Sequence, residues 1–407
     1  MSALGRLDEI LLAAAHPVTS PPRAERLARL LTPEVDWPTL IEHLDRHGVA
    51  PVAYGHFGAL PPAAIPPDAR RLLAARARAV VANDLCLRHE LGRLLAAFSR
   101  ARVDVMPLKG PVLADQLYPA PWLRPSGDLD LLVRMHEAAA AERVLEALGY
   151  ARRPDAEQGA DYHTIFTADG VEVELHRDLG EAHVSRPDVD AVWAAATPGE
   201  WDGHPIWRMA VPDQLVYLAF HAVKDGLASV RSLVDITLLV EQHREALGWP
   251  TLVARVRAAR LAPVIYLALG ESRALLGAPV PDHVVAALRP RHAGWALAQR
   301  LFRWRGGVLH VADDLLVGPF MAVLMLLWED TPRARLRHLR RNLLPAARLR
   351  RRWTSDATPW VLAYPVWAAR AVSDLVRQAS GIVGELRRRE QPRPVLGAQP
   401  PARHRPG

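Results

Sequence analysis

The sequence predicts a mixed α/β protein in which a small core sheet is flanked by helical regions before and after it. Three changes of hydrophobic period carry this. Apolar residues recur at three- and four-residue spacing up to about residue 100; two-residue alternation enters between 103 and 179; and the helical period returns after about 185. The expected segments are an N-terminal helical region (1–100), an α/β core (101–184), a C-terminal helical region (185–386) and a basic tail (387–407). A chain of 407 residues is long enough to bury a substantial core in such an arrangement.

"RAERLARLLT", "WPTLIEHLDRHG" and "PDARRLLAARARAVVANDLCLRHELGRLLAAFSRA" read as helices, the last separated from the others by "ALPPAAIPPD", whose prolines cannot continue a helix. Cys86, the single cysteine, falls in that last helix and reads as a small core residue. Then "VDVMPL" reads as a buried strand, "GPVLADQLY" as a short helix, "DLDLLV" as an alternating strand, and "HEAAAAERVLEALGY" as a helix ended by Gly149. "YHTIFTADGVEVELHRDL" is a hairpin, because Ala-Asp-Gly between two β-rich runs is a turn signal. Helices follow at "VPDQLVYLAFHAVKDG", "VRSLVDITLLVEQHREAL", "WPTLVARVRAARLAPVIYLALGESRALLG" and "PDHVVAALRP".

Half of the residues are apolar and 23% are charged, a globular composition. One cysteine excludes a disulfide framework and a cysteine-built zinc site. The first twenty residues lack a basic region ahead of their apolar run, and "GPFMAVLMLLWED" is too short to span a bilayer, so a soluble, cytoplasmic protein without a transmembrane segment is expected. The net charge of +7 is local: residues 387–407 carry +5 and 331–353 carry +9, which leaves the rest of the chain at −7. A basic segment without interleaved aromatics argues against nucleic acid as the partner, and solvated helix faces account for the arginines of 331–353.

In a strand, residues i and i+2 share a face. Asp128 and Asp130 therefore stand side by side opposite Leu129, Leu131 and Val133, and Glu172, Glu174 and His176 stand opposite Val171, Val173 and Leu175. If the two strands are neighbours, four carboxylates crowd one face, an arrangement that opposes folding unless a positive charge sits among them. Mg²⁺ with oxygen ligands resolves the conflict, and two such ions would suit phosphoryl or nucleotidyl transfer. A lone Asp-x-Asp is by itself an ordinary solvated strand face; it is the ordered series of strand, Lys-Gly, short helix, Asp-x-Asp and second acidic strand that points to chemistry.

That series resembles the polymerase-β-like nucleotidyltransferase superfamily. More closely, "LKGPVLADQLY", "RPSGDLDLLV", "LGY" and "VEVELHRDL" are similar to an uncharacterised bacterial family assigned to that superfamily, and "LAFHAVKDGLASVRSLVDITLL" extends the likeness. The resemblance implies a polymerase-β-like core, Mg²⁺ as the metal, NTP as substrate and transfer of an NMP to an unidentified acceptor hydroxyl, of a small molecule or a protein side chain, with release of pyrophosphate. Residue by residue it implies Asp128 and Asp130 as the metal-binding pair and Glu174 as the third catalytic carboxylate. Two positions depart from the pattern: Lys109-Gly110-Pro111 stands in place of a Gly-Ser turn, and Arg177 in place of an aromatic after the His.

Around this set, Gly110 lets backbone approach phosphate and the helix after it offers its N-terminal amides. Lys109 and Lys224, the only two lysines among 51 basic residues, are candidates for phosphate contact, with Arg124, His176 and His221. Arg231 and Asp235 are spaced to pair on one helix. The plain alternatives are a tight turn at Gly110, a surface arginine at 124 and helix-surface ion pairs for Lys224 and Asp235. The alternative from another class is a catalytically silent module that keeps the fold and binds a nucleotide or a partner.

Overall fold

Prolines and caps set the boundaries of the N-terminal helices. In the computed structural model, which describes residues 5–154, 162–180, 185–304, 307–309, 326 and 335–336, these are α1 (Arg6–Ala15), α2 (Pro21–Leu30), α3 (Trp37–Arg46), α4 (Ala50–Gly58) and the 34-residue α5 (Pro67–Arg100). Pro21, Pro38, Pro51 and Pro67 all lie in first turns, where the missing N–H is no loss. Asp36 caps α3 by accepting from the Thr39 N–H at 3.2 Å.

The chain then forms β1 (Val105–Pro107), α6 (Gly110–Leu117), β2 (Leu129–Val133), α7 (Ala138–Ala147), β3 (Ala151–Arg152), β4 (His163–Ala168) and β5 (Val171–His176). They build a five-stranded mixed sheet in the order β1-β2-β5-β4-β3, with β2 and β5 parallel and the other pairs antiparallel. Asp169 and Gly170 both take positive φ, +48° and +80°, the tight-turn geometry that closes the β4–β5 hairpin.

Both faces of the sheet are covered. Leu129, Leu131 and Val133 of β2 and Val173 and Leu175 of β5 join Leu91, Leu94, Leu95 and Phe98 of α5 and Ala141 and Leu145 of α7 in one apolar core. Met106 and Leu132, on the opposite face, belong to a second core built mainly of helices, among them α9 (Val211–Lys224) and α10 (Val230–Gln242). The alternation along β2 thus puts Asp130 on the α9 side.

Three features differ from expectation. Cys86 is exposed, because the buried stripe of this part of α5 runs through Leu87, Leu91, Leu94 and Phe98, one position away. The region after 185 is not wholly helical: after α8 (Val189–Ala195), β6 (Thr197–Trp201) and β7 (His204–Arg208) form a second hairpin, turned at Asp202-Gly203 with positive φ at both residues. It buries Trp201 and Ile206 with the α5 core, and the Trp201 Nε1–H donates to Asp115 Oδ2 of α6 at 2.7 Å. The long apolar stretch from Trp249 is two helices, α11 (Trp249–Ala258) and α12 (Ala262–Leu276), broken where Arg260 takes φ +60°. α13 (Asp282–Leu288) and α14 (Ala293–Trp304) complete the described helices.

The chain divides into two units, 1–339 and 340–407, and all of the second lies outside the described residues. So do the basic tail and, apart from residues 335 and 336, the arginine-rich 331–353. Among the described residues no helix is long and apolar enough to cross a membrane.

His47 ties the N-terminal helices to α10. Its Nδ1 accepts from the Val230 N–H at 3.3 Å, which fixes the tautomer, so Nε2–H donates to the Leu309 carbonyl at 3.3 Å; its own carbonyl accepts from Ser229 Oγ at 2.9 Å and the Arg231 N–H at 3.1 Å. Burial pushes its pKa from 6.5 to about 4. The unfolded chain therefore takes up the proton first, so the contribution is complete above pH 6.5 and is lost as pH falls from there towards 4, on the order of 3 kcal/mol in all. Urea unfolding across this window is expected to show the loss in the wild type, and a shallower pH slope in His47→Gln.

Candidate active site

The site begins with a register. In the parallel pair, Asp130 of β2 and Glu174 of β5 are Cα partners, and both face α9 rather than α5. Asp128 stands at the entrance to β2, two residues ahead of Asp130 and on the same side. Glu172, also on this face, pairs instead with Arg153 and stays outside the cluster.

Lys109 joins β1 to α6. The Leu108 N–H donates to the Asp130 carbonyl at 2.9 Å, which carries the chain directly past the acids. Gly110 follows with φ +68°, and a Cβ there would lie 3.6 Å from the Asp128 carbonyl oxygen; the turn uses the left-handed region that favours glycine. The result delivers the Lys109 ammonium to 3.0 Å from Asp130 Oδ2 and 2.8 Å from His221 Nε2.

Three carboxylates in one buried corner cannot share charge evenly. Burial opposes ionisation of Asp130, but the Lys109 ammonium and the hydrogen bond from His176 outweigh it and hold the carboxyl well below the usual range. The Asp130 charge, helped by burial, then pushes Asp128 up to about 6. Glu174 is lowered, because its hydrogen bond from His176 outweighs the cost of burial. His176 has Nε2 3.2 Å from Asp130 Oδ1 and 3.2 Å from Glu174 Oε2; burial would lower its pKa, and these two acids raise it.

His163 sits opposite His176 in the β4–β5 pairing, with ring centroids 5.1 Å apart and Nε2 3.9 Å from Glu174 Oε2. Its pKa is lowered to about 4 by burial. The ligand atoms of His163, Glu174 and His176 all fall within 4.8 Å of one another.

The C-terminal turn of α9 supplies the opposite wall. His221 Nδ1 is 2.9 Å from Asp225 Oδ2, so Asp225 holds the ring with Nε2 towards Lys109. The Lys224 ammonium donates to Tyr162 Oη at 2.7 Å and lies 3.5 Å from Asp225; burial would lower its pKa, and Asp225 raises it. These groups, with Asp128, Glu174, Arg231 and Asp235, line a cavity of about 220 Å³.

Arg124 lines the same cavity but is not a surface residue. It is 3% exposed, and its Nε and Nη2 reach both carboxylate oxygens of Asp235 at 2.9–3.2 Å, while Tyr118 donates to the same carboxylate at 2.7 Å. Asp235 is therefore paired with Arg124 rather than Arg231, which donates to the Pro125 carbonyl. Together with Arg124 Nη1 to Ser126 Oγ (2.9 Å) and Asn83 to the Ser126 carbonyl (2.7 Å), these bonds fix the loop that carries Asp128. Arg177, at the second departure from the family pattern, bonds Glu142 and Thr164 away from the cavity.

All nine residues expected at the site meet around this cavity or its acid cluster, Arg124 with its guanidinium held by Asp235. Tyr162, Asp225 and Arg231 were not foreseen as site residues. Asp225 was detectable in principle, four residues after His221 on a helix; Tyr162 had no local signal.

Asp128, Asp130 and Glu174 fit a hard divalent cation: three oxygen donors sit in a buried corner whose own charges push Asp128 towards protonation. A cation there would supply Lewis-acid stabilisation of charge building on a phosphoryl oxygen. Asp235→Ala, which leaves Arg124 buried without its partner, is expected to cost about 3–5 kcal/mol in denaturant unfolding.

No curated protein and no solved structure matches the sequence. Residues 33–277, more than half of the chain and all of the site, match the family model described as an uncharacterised nucleotidyltransferase, and the chain belongs to that family.

Proposed function

We propose that this cleft transfers a nucleoside monophosphate from an NTP to an acceptor hydroxyl, in the presence of Mg²⁺, on a polymerase-β-like core. The observation that supports it best is the β2–β5 register, which sets Asp130 beside Glu174 with Asp128 at the strand entrance, Lys109 against Asp130 and Lys224 on the opposite wall of the cavity. In the reaction the acceptor hydroxyl gives up its proton to water as its oxygen bonds to the α-phosphorus, the bond from that phosphorus to the bridging oxygen breaks, and pyrophosphate leaves.

The protein's part is to bind and orient. Asp128, Asp130 and Glu174 would hold Mg²⁺. Lys109, at the start of α6, would turn from Asp130 towards phosphate, with Gly110 letting backbone amides come close. Lys224 and His221, held by Asp225, would face the triphosphate or the acceptor, and His176 would keep Asp130 and Glu174 in their ionised, ligating state.

The full chain incubated with each labelled NTP, Mg²⁺ and a cell extract is expected to yield a labelled acceptor and pyrophosphate. Asp128→Asn with Asp130→Asn should lower that transfer on the order of 10³-fold, the size of losing several kcal/mol of charge stabilisation. Unchanged Mg²⁺-dependent NTP binding and pyrophosphate release in the double variant would sink the catalytic assignment and leave the silent binding module. Lys109→Arg puts a broad fork where a compact ammonium fits between Asp130 and His221, and should weaken NTP binding roughly tenfold in equilibrium titration.

A further inference from the structure

The acid cluster has a side that a magnesium centre does not need. Magnesium favours oxygen donors and keeps much of its water, yet two imidazoles point at Glu174 from neighbouring strands. The register puts them there: His163 and His176 are cross-strand partners, and Glu174 lies two residues before His176 on the same face. His163 and His176 are 7% and 2% exposed, so neither is a solvated surface histidine.

We infer that His163, Glu174 and His176 form a second cation position in the cleft, selective for a zinc-class transition ion over Mg²⁺. For metal–ligand bonds of about 2.0–2.1 Å, adjacent ligand atoms in a tetrahedral site lie about 3.4 Å apart. His176 Nε2 is 3.2 Å from Glu174 Oε2, His163 Nε2 is 3.9 Å from the same oxygen, and the two imidazole ligand atoms lie within 4.8 Å of each other, so closing the set asks the His163 ring to move inward. Asp130 Oδ1, 3.2 Å from His176 Nε2, stands next to the position and can serve as a further ligand, and binding there releases to solvent the proton that His176 Nε2 otherwise shares with Asp130 and Glu174. Two imidazoles with one carboxylate make a donor set that suits zinc, iron or cobalt and adds little for magnesium.

The polar contacts of both rings lie at Nε2, on the side of the carboxylates, while ring contacts with Tyr162 and with each other hold their planes.

The inference rests on the active-site reading of the same cleft, and its test separates the two. The full chain, stripped with a chelator, is titrated with Zn²⁺ and with Mg²⁺ alone, and with Co²⁺ followed by visible absorption. Zn²⁺ is expected to bind one per chain and at least about 100-fold more tightly than Mg²⁺, and Co²⁺ to give the intense bands of a low-coordinate site. His163→Ala, checked for folding by its thermal melt, should weaken Zn²⁺ roughly tenfold or more and change the Co²⁺ spectrum. X-ray absorption on the zinc-loaded wild type should count two imidazole nitrogens, a readout that needs no variant. Zn²⁺ affinity no greater than that of Mg²⁺, a Co²⁺ spectrum untouched by His163→Ala, or a zinc shell without imidazole each overturns the second position. None of these outcomes bears on whether Asp128→Asn with Asp130→Asn abolishes Mg²⁺-dependent NTP binding, which decides the first reading alone.

Discussion

The parallel pairing of β2 with β5 is the constraint on which the cleft depends. Once Leu131 and Leu175 must share the α5 side, Asp130 and Glu174 must share the other, and a slip of one residue would exchange an apolar core for a row of acids. The apolar face thus enforces an arrangement that the polar face, left to itself, would resist. What makes the arrangement tolerable is a set of partners: the ammonium groups of Lys109 from the β1–α6 turn and Lys224 from α9, and the hydrogen bonds of His176 from β5 itself.

Around this the molecule builds supports of two kinds. Arg124, Asp235 and Tyr118 make a buried ionic joint between the loop before β2 and α10, so that the loop carrying Asp128 moves only if α10 moves. On the far side, Arg88 bridges Asp84 of its own helix to Asp115, and Trp201 donates to the same Asp115, so α6 is held to α5 and to the second hairpin. The N-terminus of α6 is thereby fixed from behind while its first turn faces the acids. Arg124 and Asp235 line the cavity themselves; Arg88, Asp115 and Trp201 act from behind it and determine where its walls stand.

How much of this was legible in the sequence divides along physical lines. Strand faces were, because the two-residue period acts locally: Leu129 and Leu131 against Asp130, Val173 and Leu175 against Glu174. The β4–β5 turn was, because Asp-Gly adopts positive φ cheaply. Asp202-Gly203 carries the same signal, but Pro198, Gly199 and Pro205 obscure the strands around it, and the hairpin is stabilised by Trp201 meeting α5 and α6, contacts no local pattern encodes. Arg124 could not be told from its many companions, since nothing near it announces that Asp235, more than a hundred residues later, will bury it. His163 acquires its place only from cross-strand register, and Tyr162 only from meeting Lys224.

The near-absence of lysine has a consequence beyond electrostatics. With two ε-amines in the whole chain, and both at one cleft, chemistry directed at lysine becomes directed at the site. A reagent that acylates or reductively alkylates lysine side chains anywhere on this protein can act only at Lys109, beside Asp130, or at Lys224, beside Tyr162. The arginines are inert to such reagents, and the composition that first looked like a bias turns the cleft into the one place where lysine chemistry can act, the chain's α-amine being the other amine such a reagent meets.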